Sequence, residues 1–88
     1  MEDKVAIKIL KAVANENRFV ILKCLQKDKE LSVGDLAEIM NMPFRSVSRD
    51  LSVLRSVGLV QSRNSFSNRI YSINTSSFPK RLFQYFLE

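Results

Sequence analysis

The stretch FRSVSRDLSVLRSVGLV, residues 44–60, decides the fold. At about 100° per helical residue, Arg45, Ser48, Arg49, Ser52 and Ser56 fall within about 100° of arc, and Val47, Leu51 and Leu54 lie opposite. The apolar side predicts a core contact. A helix that merely faces water usually mixes Glu with Lys at i, i+4, because opposite charges support it. The polar side here carries neither, only arginine and serine. Pro43 suits the first helical position, where its missing N–H costs nothing, and Gly58 suits the left-handed residue that stops a helix running to Val57.

Upstream, Ser32 followed three residues later by Asp35 predicts a capping box that opens the helix SVGDLAEIM, with Leu36, Ala37, Ile39 and Met40 inward. Asn41 and Met42 form a brief turn into the 44–57 helix. Asn15 is the predicted N-cap of a central helix, NRFVILKCLQK, apolar through Phe19, Val20, Ile21, Leu22, Cys24 and Leu25. A first helix over about residues 3–14 gathers Lys4, Lys8 and Lys11 on one stripe. Val5, Ala6, Ile9, Leu10, Ala12 and Val13 then spread over around 200°, wider than one core contact needs.

Downstream of Gly58 the period shortens. LVQSR and RIYSI alternate or carry β-branched residues, and NSFSN between them is turn-rich, which predicts a two-stranded hairpin. A last helix, PKRLFQYFLE over 79–88, again distributes Leu82, Phe83, Tyr85, Phe86 and Leu87 around about 200°. The expectation is one domain over 1–88, mainly α, with five helices and a two-stranded wing.

Composition narrows the function. With no histidine and a single cysteine, Cys24, the chain lacks Cys–His and Ser–His nucleophile pairs, an internal disulfide and the usual zinc sites. Enzyme activity is not expected, no cofactor is implied, and Cys24 reads as a small buried hydrophobe. No apolar run approaches the ~20 residues of a membrane span, and the opening MEDKVAIKIL is unlike a signal peptide, so the expected location is cytoplasmic without a membrane partner. The net charge of +5 is unevenly placed. Residues 1–42 hold seven basic and seven acidic side chains, whereas residues 43–73 hold Arg45, Arg49, Arg55, Arg63 and Arg69 against Asp50 alone. Arginine's planar fork suits phosphates and guanine edges.

Two short helices joined by a tight turn, followed at once by an Arg-flanked hairpin, make a winged helix-turn-helix pattern. Double-stranded DNA is the expected partner. Phe44, Arg45, Ser46, Ser48, Arg49 and Ser52 are the candidate contacts from the recognition helix, and Arg63, Asn64, Asn68 and Arg69 those from the wing. Phe44 either rests on a thymine methyl or packs beneath Met42, and packing is the preferred reading. Asp50 would repel phosphate, so it accepts a hydrogen bond from cytosine, pairs with Arg18 or another arginine, or points aside; its angular position favours the last. Alternatives are a winged-helix module that docks a protein partner without operator specificity, and structured RNA as the ligand.

Over roughly residues 7–73 the chain resembles ArsR-type winged-helix repressors. LKAVANENRFVILKCL is similar to the family's opening signature, ELSVGDLAEIMNM to its third helix, and SVSRDLSVLRSVGLV to its recognition helix and first wing strand. The resemblance implies a homodimer joined through its terminal helices and bound to a near-palindromic operator. Surplus apolar surface on both terminal helices fits that reading and makes Val5, Ile9, Leu10, Val13, Leu82, Phe83 and Phe86 the candidate dimer interface. Metal-sensing members carry Cys-Val-Cys where this chain has Ser32, Val33 and Gly34. The family's other metal site uses Asp and His on the terminal helix, and PKRLFQYFLE offers neither. The implied member does not sense metals, its small-molecule effector is unknown, and Asp50 stands where many members have His.

Overall fold

The computed structural model describes residues 2–76. The elements run α1 (Asp3–Val13), α2 (Glu16–Asp28), β1 (Leu31–Ser32), α3 (Val33–Met40), α4 (Phe44–Ser56), β2 (Val60–Ser65) and β3 (Asn68–Ile73). Helix boundaries follow the local signals. The Asn15 side chain accepts from the Arg18 N–H at 3.1 Å, and Ser32 and Asp35 exchange both hydrogen bonds of the predicted capping box. Pro43 lies one position earlier than expected, as the N-cap of α4, where its carbonyl accepts from Ser46 at 3.1 Å and Val47 at 3.2 Å.

Two helix ends set the path of the chain. Asn41 takes a left-handed φ of 51°, and the Met42 N–H reaches back to the Ala37 carbonyl at 2.9 Å. Gly58 does the same after α4 with a φ of 80°, and the Leu59 N–H reaches the Leu54 carbonyl at 3.0 Å. Both are Schellman closures, and the second buries Leu59 against the helix it ends. The first makes the tight turn between α3 and α4; the second swings the chain into β2.

Four helices and a three-stranded antiparallel sheet, in the order β1-β3-β2, replace the expected five helices and two strands among the described residues. The predicted helix over 79–88, with Leu82, Phe83 and Phe86, lies outside the described residues. The extra strand pairs Leu31 with Tyr71 and Ser32 with Ile70. Two residues have no period to read, and Ser32 is also the cap of α3, so its strand pairing has no local signature.

The core forms where Ile21, Leu22 and Leu25 of α2 meet Leu36 of α3, Val47, Leu51 and Leu54 of α4, and Leu59 beyond it, each no more than 1% exposed. At about 1.5–3 kcal/mol per buried aliphatic side chain, this contact holds α4 by its apolar side and turns its other side outward. Ile39 departs from its expected inward position and is 54% exposed. α3 has only eight residues, and Val33, Leu36, Ala37 and Met40 already fill its contact with the core.

Candidate nucleic-acid interface

The outward side of α4 is a shallow, open concavity lined by Phe44, Arg45, Ser48, Arg49 and Ser52. Five of the six predicted helix residues therefore converge. The sixth, Ser46, is half-buried and stands off the stripe. Phe44 does not pack beneath Met42 as preferred above: it is 60% exposed, because the Asn41 turn brings Met42 rather than Phe44 onto the core. No side chain caps the first turn of α4 and no acidic residue lies in it. The leading N–H groups and the positive end of the helix dipole thus sit beside Arg45, a setting that favours anionic oxygen.

The charge of this face is uncompensated. Among the described residues the ion pairs are Arg18–Asp50 and Arg63–Glu30, so Arg45, Arg49 and Arg55 have no carboxylate partner there. Asp50 is turned away from the groove, as its angle suggested, and it also takes the Arg18 option: Oδ1 lies 3.3 Å from the guanidinium, with the two side chains 15% and 18% exposed. The same guanidinium donates to the carbonyls of Ala12 at 2.7 Å and Lys11 at 3.4 Å. One arginine therefore ties the end of α1 to the middle of α4.

The wing is a hairpin closed by Phe66 and Ser67, with Arg63 opposite Ile70 and Asn64 opposite Arg69. Since successive strand residues alternate faces, Arg63 and Arg69 point to opposite sides of the ribbon. Arg69 shares the side of buried Tyr71 and donates to the Ser62 hydroxyl at 3.0 Å. Arg63 shares the other side and is held by Glu30, Nε at 3.0 Å and Nη2 at 2.7 Å from one carboxylate oxygen. This pair lies in a cleft between the last turn of α2 and β2, also lined by Leu25, Gln26, Lys29 and Gln61. With its side chains 60% and 51% exposed, it is a surface pair worth at most about 1 kcal/mol, readily exchanged for phosphate. Asn64 and Asn68 are exposed.

On α1, Ile9, a candidate dimer-interface residue, is 5% exposed and belongs to the chain's own core, and Val13 packs partly against that core. Val5, Ile7 and Leu10 are 43%, 49% and 66% exposed. Ile7 is absent from the sequence-based set. Its angle, about 40° from the nearest of the three lysines, was the signal that could have found it. Cys24 is half-buried against the core, and burial, with a smaller effect from Asp28, pushes its thiol pKa up. No three His, Cys, Asp or Glu side chains among the described residues form a group that could hold a metal ion. Nor is any described helix long and apolar enough to cross a membrane.

A tight α3–α4 turn, an exposed basic face on the second helix and a hairpin directly after it define a winged helix-turn-helix. A family profile described as a helix-turn-helix domain matches residues 13–63. The chain is 38% identical over 71 residues to the transcriptional activator HlyU of Vibrio cholerae, covering 81% of this chain and 65% of HlyU. It is 30% identical over 82 residues to YceK of Bacillus subtilis, an HTH-type transcriptional regulator, covering 92% of this chain and 82% of YceK. The solved structure of V. cholerae HlyU superposes with a TM-score of 0.82 at 34% identity, over 97% of this chain and 92% of that one. A homodimeric winged helix-turn-helix DNA-binding domain from Mycobacterium bovis, described as a possible ArsR-family regulator, gives 0.81 at 28% identity, over 97% and 82%. The chain belongs to the ArsR family of winged helix-turn-helix proteins.

Proposed function

We propose that this chain is a sequence-specific, duplex-DNA-binding regulator of transcription that acts as a homodimer. The observation that carries the reading is the outward face of α4: Arg45, Ser48, Arg49 and Ser52 line one open surface, and its arginines have no carboxylate partner among the described residues. Such a face fits a major groove, with hydroxyls short enough to let the backbone approach and guanidiniums shaped for phosphate and guanine edges. In this reading Phe44 rests on a thymine methyl, and Ser46 and the wing residues Arg63, Asn64, Asn68 and Arg69 contact the backbone or the adjacent minor groove.

Support for a two-fold assembly comes from exposed Ile7 and Leu10 on α1 and from the homodimeric M. bovis relative. Two recognition helices would then meet half-sites about one helical turn, ~34–36 Å, apart. Metal-independent action is supported by Ser32, whose hydroxyl stands where a metal-binding thiolate would and accepts the Asp35 N–H at 3.0 Å. Repression follows if the operator overlaps the promoter; HlyU is named an activator, so a reporter with the operator at or upstream of the promoter assigns the direction.

The deciding experiment selects bound fragments from random duplex DNA. An enriched near-palindrome is expected, with a logarithmic salt slope of about −5 if six phosphates are neutralised. Arg45→Ala should relax specificity and Arg49→Ala should weaken binding, each by about 1–3 kcal/mol. A pool without enrichment, together with protein capture that nuclease leaves unchanged, would replace this reading with a protein-docking module.

A further inference from the structure

Phe66 occupies the tip of the wing at 104% relative exposure, with a backbone φ of 56°. That left-handed region crowds the Cβ of an L-residue, and hairpin turns that need it ordinarily take Gly, Asn or Asp. Folding therefore gains nothing from a phenyl group here: the ring is outside the core, and its backbone would suit a smaller residue better. Around it stand Asn64, Ser67, Asn68 and Arg69, all exposed, so a single apolar plate projects from a hydrogen-bonding, cationic rim. The tip stands clear of the rest of the sheet. Six-residue strands span about 20 Å, and β1 pairs only with Ile70 and Tyr71, so beyond them the hairpin stands as two strands.

We propose that Phe66 is a wedge that the wing drives between two base pairs of duplex DNA from the minor groove next to the α4 contact. The inference rests on the DNA-binding reading above and adds a mode of recognition to it. Asn64 and Asn68 can donate to the acceptors on the minor-groove floor, and Arg69 is drawn by its negative potential. An apolar side chain between base pairs partly unstacks them and kinks the duplex. Pyrimidine–purine steps yield most easily, so the wedge imposes a TA or CA preference at a position that α4 does not touch. A protein or membrane partner is less well matched, because one ring ringed by amides and a guanidinium offers little continuous apolar area.

The test compares the wild-type protein with Phe66→Gly, which removes the ring and relieves the backbone, and with Phe66→Trp, which restores an aromatic plate. The probe is the selected operator carrying 2-aminopurine at the candidate step and fluorophores at its ends. Wild type and Phe66→Trp should raise the 2-aminopurine signal and bend the duplex by roughly 20° or more. Phe66→Gly should melt no lower than wild type, bind about tenfold more weakly, and lose both signals. Equal affinity and bending by Phe66→Gly would overturn the wedge and leave the DNA-binding reading intact. Loss of self-association or of a captured protein, with DNA binding unchanged, would overturn it in favour of a docking role. Failure of the wild-type protein to enrich any duplex would overturn both readings together.

Discussion

Arg18→Met is the perturbation whose consequence the structure specifies most closely. The substitution removes the guanidinium 3.3 Å from Asp50 and the donor 2.7 Å from the Ala12 carbonyl, while keeping the apolar stem. Stripping one member from a buried pair costs about 3–5 kcal/mol, and the 15–18% exposure of these side chains admits enough water to lower that by roughly half. Loss of a charged hydrogen bond to a carbonyl adds about 1–2 kcal/mol, so the total is about 3 kcal/mol. For a domain of this size that corresponds to roughly 12–24 °C in Tm. Asp50→Asn should be milder, about 1 kcal/mol, since Arg18 keeps the Ala12 and Lys11 carbonyls. Thermal and urea melts at one fixed protein concentration, run on both single variants and the double variant, give the coupling directly. The operator salt slope should not change, because neither residue is placed to touch phosphate. A Tm for Arg18→Met within about 3 °C of wild type, or a larger loss for Asp50→Asn, would refute the clamp between α1 and α4.

Four further outcomes are expected. Leu10→Glu should convert a dimer to a folded monomer in sedimentation, whereas Ile9→Glu should unfold the chain, because only Ile9 is taken into its own core; equal behaviour of the two would contradict the face assigned to α1. Ser32→Ala should cost about 1 kcal/mol by opening the capping box of α3, measurable by urea melts. Glu30→Gln should shift stability by no more than about 1 kcal/mol yet tighten operator binding by freeing Arg63, and weaker binding would count against a phosphate role for that arginine. Burial holds the Cys24 thiol protonated at neutral pH, so its alkylation rate should keep climbing above about pH 8; a plateau below that value would mean the thiol is activated.

Local features were legible because their partners lie within a few residues. The 3.6-residue period of α4, the caps at Asn15 and Ser32, and the stop at Gly58 each depend on contacts no more than five positions apart, so the order of residue types suffices to place them. The exposed arginine and serine stripe followed from the same period. Ile39 and Phe44 were misplaced for a different reason: a helix pattern gives the direction of a side chain about the axis but not how far a neighbouring element covers it.

From its sequence alone, this chain determined its helices, its hairpin, its basic half and hence its kinship, all through short-range backbone chemistry and side-chain periodicity. Tertiary structure alone decided which charges meet. Arg18 with Asp50 and Arg63 with Glu30 are separated by 32 and 33 residues, and β1 finds β3 across the whole of α3 and α4. Such pairings depend on where folded segments come to rest in space, and no window of neighbouring residues contains that information.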